Sequence, residues 1–135
     1  VMERCREINL DPAVVYGLIR QESRFIINAR SSVGASGLMQ VMPATARWTA
    51  KRLGMQNFQV DQLNRQDVNI QIGTGFLKIV LNHFQGQLPL TAAAYNAGPG
   101  RVDKLIERHG DDWLRYAPEQ TREYVAANMR RVRGY

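Results

Sequence analysis

Cysteine is nearly missing from this chain. Cys5 is the only one in 135 residues, so no internal disulfide can form and the small stapled secreted scaffolds are excluded. With no histidine partner suggested nearby, its thiol reads as half-buried rather than nucleophilic. Histidine is scarce too: His83 and His109 are the only two, and neither has a carboxylate or cysteine at metal-ligand spacing, which leaves zinc chemistry without a ligand set. No apolar run approaches the length of a membrane span, and no apolar segment follows a basic N-terminus, so neither anchor nor signal peptide is read. Long alternation of apolar and polar residues, internal repeats and low-complexity linkers are also lacking. VGASGLMQ is glycine-rich but does not end in the Lys-Ser/Thr of a phosphate-binding loop. Ser31, Ser32 and Ser36 have no evident histidine base, which argues against a serine nucleophile.

What is present suits one globular domain over residues 1–135. Hydrophobic residues make up 44%, and the length allows one real core but not two. The chain opens at VMERCREINLDP, already inside a helix, so a domain excised from a longer chain is expected. Lys and Arg outnumber Asp and Glu 18 to 12, a formal net charge of +6. That sign favours polyanions in general, whether nucleic acid, anionic lipid or an acidic cell-wall polymer, and does not choose among them. Arg122, Arg130, Arg131 and Arg133 cluster near the C-terminus, as on a solvated helix face.

Helical periodicity dominates. Asp11 and Pro12 announce a helix through the apolar residues that follow. IINARSSVGASGLMQVM is too irregular for a helix, and SGLMQV within it is the best, short candidate for extended structure. Pro43 opens PATARWTAKRL, which Gly54 closes. Residues 55–66 read as a loop, and Asp67 as the cap of a longer helix through Phe84, with Ile72, Phe76, Ile79, Val80 and Leu81 on its apolar face. Gly73 and Gly75 inside that helix weaken its propensity, so close packing against a neighbour is expected at both. LTAAAYN is a short helix, AGPGRV a turn, and Val102, Leu105 and Ile106 belong to the next helix. Residues 119–132 form the last, with Tyr124, Val125 and Met129 at helical spacing. A mainly helical domain with one irregular lobe follows.

IRQESRF poses the chemical question. Val15, Leu18 and Ile19 precede Glu22 by seven, four and three residues, so the carboxylate continues a buried stripe just where the helix should end. Such a residue either turns out to water or an arginine, as most glutamates do, or sits at a cleft floor, where desolvation keeps a proton available.

Taken in order, RQESRF, GASGLMQVMP and AYNAGPGRV, with TREYV near the end, resemble the catalytic domain of the soluble lytic transglycosylases. These belong to the lysozyme-like superfamily and cleave bacterial peptidoglycan. The resemblance covers residues 11 to about 128 and implies an α+β lysozyme-like fold, mainly helical with a small irregular or β lobe beside the catalytic cleft. It also implies roles. Glu22, of the Glu-Ser motif, matches the single catalytic acid and base. Ser31 and Gln40 match polar residues lining the family's cleft, and Met39 and Met42 match apolar positions in and after its GLMQ motif. Tyr95 and Asn96 match the pair that faces the glutamate across the groove, with Tyr95 orienting it or stabilising developing charge. Tyr124 matches the aromatic of the closing helix. Met39, Met42 and Tyr124 can equally be core. Where the family usually reads Glu-Thr-Arg, Gln120 precedes Thr121 and Arg122 here, and Glu119 stands one place earlier. Either the register is shifted or a neutral amide holds that position.

The implied reaction needs one carboxyl. Protonated Glu22 donates to the oxygen linking N-acetylmuramic acid to N-acetylglucosamine. The substrate's own C6 hydroxyl then attacks, and ionised Glu22 takes its proton, giving a 1,6-anhydro sugar without water. No metal or cofactor is called for. The expected partner is the peptidoglycan glycan strand, with a preceding helical domain of the parent as a further candidate and no nucleic acid. The periplasm or cell envelope is the location that such a substrate implies. The rivals are a goose-type lysozyme, a non-catalytic glycan-binding module, and a basic nucleic-acid binder, the last without any stacking-aromatic or helix-turn-helix pattern.

Overall fold

The structure, a computed structural model, describes residues 1–134. They divide into two compact units, Val1–Lys78 and Ile79–Gly134.

The first unit opens with a short helix, α1 (Met2–Glu7). Arg4 ties it down, donating from Nε to Thr74 Oγ1 at 3.2 Å and from Nη2 to the Gln71 carbonyl at 3.4 Å. The next helix, α2 (Pro12–Ser23), starts as its sequence dictates: Asp11 Oδ1 accepts from the Ala13 N–H at 2.9 Å, and Pro12 fills the first turn. Its stripe of Val15, Leu18 and Ile19 is buried to 1% exposure or less. An irregular stretch then leads to α3 (Pro43–Arg52). Its extended content is two isolated antiparallel bridges, Arg30 with Ser36 and Ser36 with Val41; of SGLMQV, expected to be extended, only the two end residues bridge, and residues 37–40 form a turn. Gly54, just past the α3 cap at φ 73°, donates to the Lys51 carbonyl at 3.2 Å and ends the helix as anticipated. The stretch read as a loop contains a 3-10 turn, Val60–Asn64, whose Leu63 is 1% exposed.

The long helix, α4, runs Gln66–His83 from the first unit into the second. It starts one residue before the expected cap and stops one short of Phe84. Asp67 lies inside its first turn, where a carboxylate suits the helix dipole, and pairs with Arg65 at 2.9 Å. Both glycines have the neighbours foreseen. A Cβ on Gly73 would stand 2.7 Å from Met39 Cβ, and one on Gly75 would stand 2.8 Å from Leu53 Cδ1.

The second unit holds the end of α4, then α5 (Leu88–Ala97), α6 (Pro99–His109), a 3-10 segment (Gly110–Tyr116) and α7 (Glu119–Gly134). Helix α5 packs on both α6 and α7, and α6 also packs on the 3-10 segment. Leu90 to Ala94 are all buried, so the middle of α5 is enclosed on every side. The expected AGPGRV turn contracts to a single residue, Gly98 at φ 97° and ψ 141°, because Pro99 is already a helix opener. The 3-10 segment had no periodicity to announce it. Trp113, 9% exposed, anchors it.

Candidate active site

Glu22 stands in the last turn of α2, half-buried, directly after the buried stripe. The helix can go no further. Arg24 adopts the left-handed conformation at φ 54°, and Phe25 follows at φ 65°. Two consecutive residues other than glycine in that region are uncommon, and such strain gathers at functional sites. Ser23 Oγ donates to the Ile19 carbonyl at 3.1 Å, which closes the turn beneath the carboxylate.

The irregular stretch after α2 is held by side chains rather than by a sheet. Ser31 Oγ accepts from the Ala35 N–H at 2.9 Å, and the Ser31 N–H donates to the Ala35 carbonyl at 3.0 Å, so Ser31 staples a turn. Gln40, itself at φ 48°, donates from Nε2 to the Ala29 carbonyl at 3.0 Å and to the Gly37 carbonyl at 2.8 Å. Both amide protons are thereby committed. What Gln40 can offer a ligand is its carbonyl oxygen, an acceptor. Met42 is 38% exposed, whereas Met39 is 0% exposed and packs on Gly73, so Met39 serves the core, one of its two expected roles.

The centre of this arrangement is a residue the sequence reading passed over. Asn69, on α4, is 1% exposed. Its Oδ1 accepts from the Met39 N–H at 3.0 Å, and its Nδ2 donates to the carbonyls of Ser36 at 2.8 Å and Leu63 at 3.1 Å. One buried amide thus clamps both the GLMQ loop and the 3-10 turn. Gly37 is required beside it, since a Cβ there would collide with the Asn69 side chain and its φ is 78°. The signal was present: Asn69 precedes Ile72, Gly73, Phe76 and Val80 by three, four, seven and eleven residues, so a polar side chain occupies a core position.

In the second unit, Tyr95 and Asn96 occupy the last turn of α5 and are both half-buried. The packing of α7 on α5 brings Thr121, 3% exposed, to Asn96, and its hydroxyl donates to Asn96 Oδ1 at 3.0 Å. Tyr124, three residues on along the same face, is half-buried. Arg122 Nη1 donates to the Ala117 carbonyl at 2.7 Å and fastens the approach to α7. Gln120 and Glu119 are both exposed. The Thr-Arg of this motif therefore has structural partners, and Thr121 links it to AYN. That link was invisible in sequence because 25 residues separate the two side chains.

His83 is less isolated than its sequence neighbours suggested. Its Nε2 lies 2.9 Å from Asp103 Oδ2, on α6. Among the described residues no group of three or more His, Cys, Asp or Glu side chains could hold a metal ion. Cys5 is 1% exposed, and burial pushes its thiol pKa up, the nearby Asp11 charge adding to the effect.

A sequence model described as the Transglycosylase SLT domain matches residues 2–114. A soluble lytic murein transglycosylase of Salmonella typhimurium is 41% identical over 95 residues, covering 70% of this chain and 15% of that protein. The protein of the same name from Escherichia coli is 45% identical over 86 residues, covering 63% and 13%. The chain thus spans about a seventh of the length of these relatives. Among solved structures, lytic transglycosylase Slt of Pseudomonas aeruginosa, as an inactive mutant with glutamine in place of a glutamate, superposes with a TM-score of 0.87 at 36% identity. The match covers 97% of this chain and 22% of that one. The 70-kDa soluble lytic transglycosylase of E. coli gives 0.84 at 34% identity, covering 91% and 21%. The fold is lysozyme-like, and the chain belongs to the SLT-domain family of transglycosylases.

Proposed function

We propose that this domain cleaves the β-1,4 bond between N-acetylmuramic acid and N-acetylglucosamine in peptidoglycan without water, releasing 1,6-anhydromuramoyl products. The observation that carries the reading is Glu22: a half-buried carboxyl in the last turn of α2, joined to a side-chain-clamped GLMQ loop, in a chain matched by the SLT-domain model. The first step requires Glu22 as the neutral acid, carrying its carboxyl proton. Glu22 donates that proton to the departing oxygen, and its carboxylate then receives the proton of the C6 hydroxyl as it closes on the anomeric carbon. Each bond made is matched by one broken, and the glutamic acid is regenerated.

The other carboxylates of the first unit support a single-acid scheme. Asp11 caps α2, Glu7 and Asp67 pair with Arg4 and Arg65, and Glu3 and Asp61 are exposed in first turns of other elements. None belongs to the loop that follows Glu22. Tyr95 is assigned the orienting hydroxyl, with Gln40, Asn96, Ser31, Met42 and Tyr124 as glycan contacts and Gln120 at their margin. Such a substrate supports the cell envelope as the place of action, and a further helical region of a longer parent chain is the expected companion.

The test is mass analysis of products from purified peptidoglycan digested in heavy-oxygen water. Muropeptides lighter by one water and free of label are expected, because the internal hydroxyl has the advantage of proximity. Labelled reducing ends would make the enzyme a hydrolase of the goose-lysozyme kind, built on the same residues. No cleavage at all would leave a glycan-binding module.

A further inference from the structure

The hydroxyl of Thr121 donates its one proton to Asn96 Oδ1 at 3.0 Å, from a side chain that is only 3% exposed. Thr121 is fixed by the α5–α7 packing and by its place in the first turns of α7, and it precedes Arg122, whose guanidinium is fastened to the Ala117 carbonyl. A primary amide has two chemically opposite ends, and without a partner it can turn over to present either. A hydroxyl can accept as well as donate, but the Thr121 proton has no acceptor other than Asn96 Oδ1 among the described residues, so the oxygen end is held inward and the Nδ2 end remains for a ligand.

We propose that Thr121 is a positioning residue which locks the amide of Asn96 with its nitrogen outward, making Asn96 a hydrogen-bond donor to an acceptor oxygen of the glycan. This rests on the transglycosylase reading and adds polarity to it. The acceptor that suits a fixed amide N–H best is the carbonyl oxygen of an N-acetyl group, the strongest neutral acceptor an amino sugar carries. In the first unit Gln40 has the opposite assignment, with both amide protons spent and only its oxygen to offer. The two motif amides are therefore not interchangeable: each is held by its own unit in one sense.

The experiment measures binding of tetra-N-acetylchitotetraose to the Glu22→Gln protein, and turnover of purified peptidoglycan by the protein with Glu22 intact. Thr121→Val keeps the shape and removes the hydroxyl. It should weaken both binding and kcat/KM by roughly three- to tenfold, the worth of one hydrogen bond, with the loss in KM rather than kcat. Thr121→Ser should restore both. Asn96→Asp preserves an acceptor for Thr121 but turns an oxygen outward, and should lose at least as much as Thr121→Val. Unchanged binding in Thr121→Val, failure of the serine to restore it, or full binding by Asn96→Asp would each overturn the proposal. If Thr121→Val does not fold, Asn96→Asp decides alone. A wild-type protein that binds the tetrasaccharide but leaves peptidoglycan intact would refute the reaction and not the amide orientation.

Discussion

On the proposed reading, the chemistry at Glu22 hangs on one proton. Glu22→Gln keeps the shape of the last turn of α2 and removes the acid, so cleavage of peptidoglycan should fall below a few per cent while the thermal midpoint and glycan binding hold. Faster turnover than that would take the acid role from Glu22. Tyr95→Phe deletes one hydroxyl and keeps the ring, and should slow turnover on the order of a hundredfold with a smaller effect on binding. An unchanged rate would leave Tyr95 as packing. Cys5 makes a prediction of opposite kind. Its thiol pKa is raised in the folded state by burial, so the unfolded chain loses the thiol proton first as pH rises. The folded state then holds more protons, and stability falls through that window, whereas below the unfolded pKa the thiol is neutral in both states and contributes nothing. Cys5→Ala should flatten the alkaline end of a stability-versus-pH curve, read by urea melts. The carboxylate at the end of a buried stripe was readable from three-, four- and seven-residue offsets alone. What Gln40 and Ser31 hold was not, because their partners are backbone carbonyls and amides whose positions depend on the folded loop.

Among the elements, α4 offers a graded test. Gly73 and Gly75 both replace better helix formers, each at a cost of about 1 kcal/mol in propensity. Alanine at 73 would meet Met39 Cβ at 2.7 Å, near the backbone of a clamped loop that cannot retreat. Gly73→Ala should therefore destabilise by about 1–3 kcal/mol. At 75 the nearest atom is Leu53 Cδ1 at 2.8 Å, the far end of a flexible side chain. Gly75→Ala should come out near neutral, since propensity offsets a small shift of the leucine. Equal losses at both positions in chemical denaturation would contradict this ordering. The close packing was legible because a glycine pair inside an apolar helix needs a reason. The start of α4 lies two residues earlier than a cap at Asp67 implies, since Asp67 does as well inside the first turn, against the dipole and Arg65, as it would at the cap.

For the molecule as a whole, the formal charge of +6 favours an acidic polymer, which on the proposed reading is peptidoglycan. Exposed charges are screened over about 8 Å at physiological ionic strength. Association with intact peptidoglycan should therefore weaken as salt is raised, in pull-down assays, while binding of uncharged chitotetraose should barely change; equal salt sensitivity of the two would remove charge from recognition. The mainly helical plan and its order of motifs could be read directly, because periodicity and caps are local. The 3-10 segment Gly110–Tyr116 could not, being defined by where Trp113 finds burial.

The Asn69 clamp has a consequence for anyone who would transplant this loop. The conformation of residues 35–41 is stored in a side chain some thirty positions downstream, on a helix that contributes no letter to the loop itself. Copying GASGLMQV into another scaffold would carry the alphabet without the spelling. A graft that also supplies an asparagine facing a glycine at the two matching positions has what the native loop leans on, and one that does not will have to find another way to seat the Met39 amide.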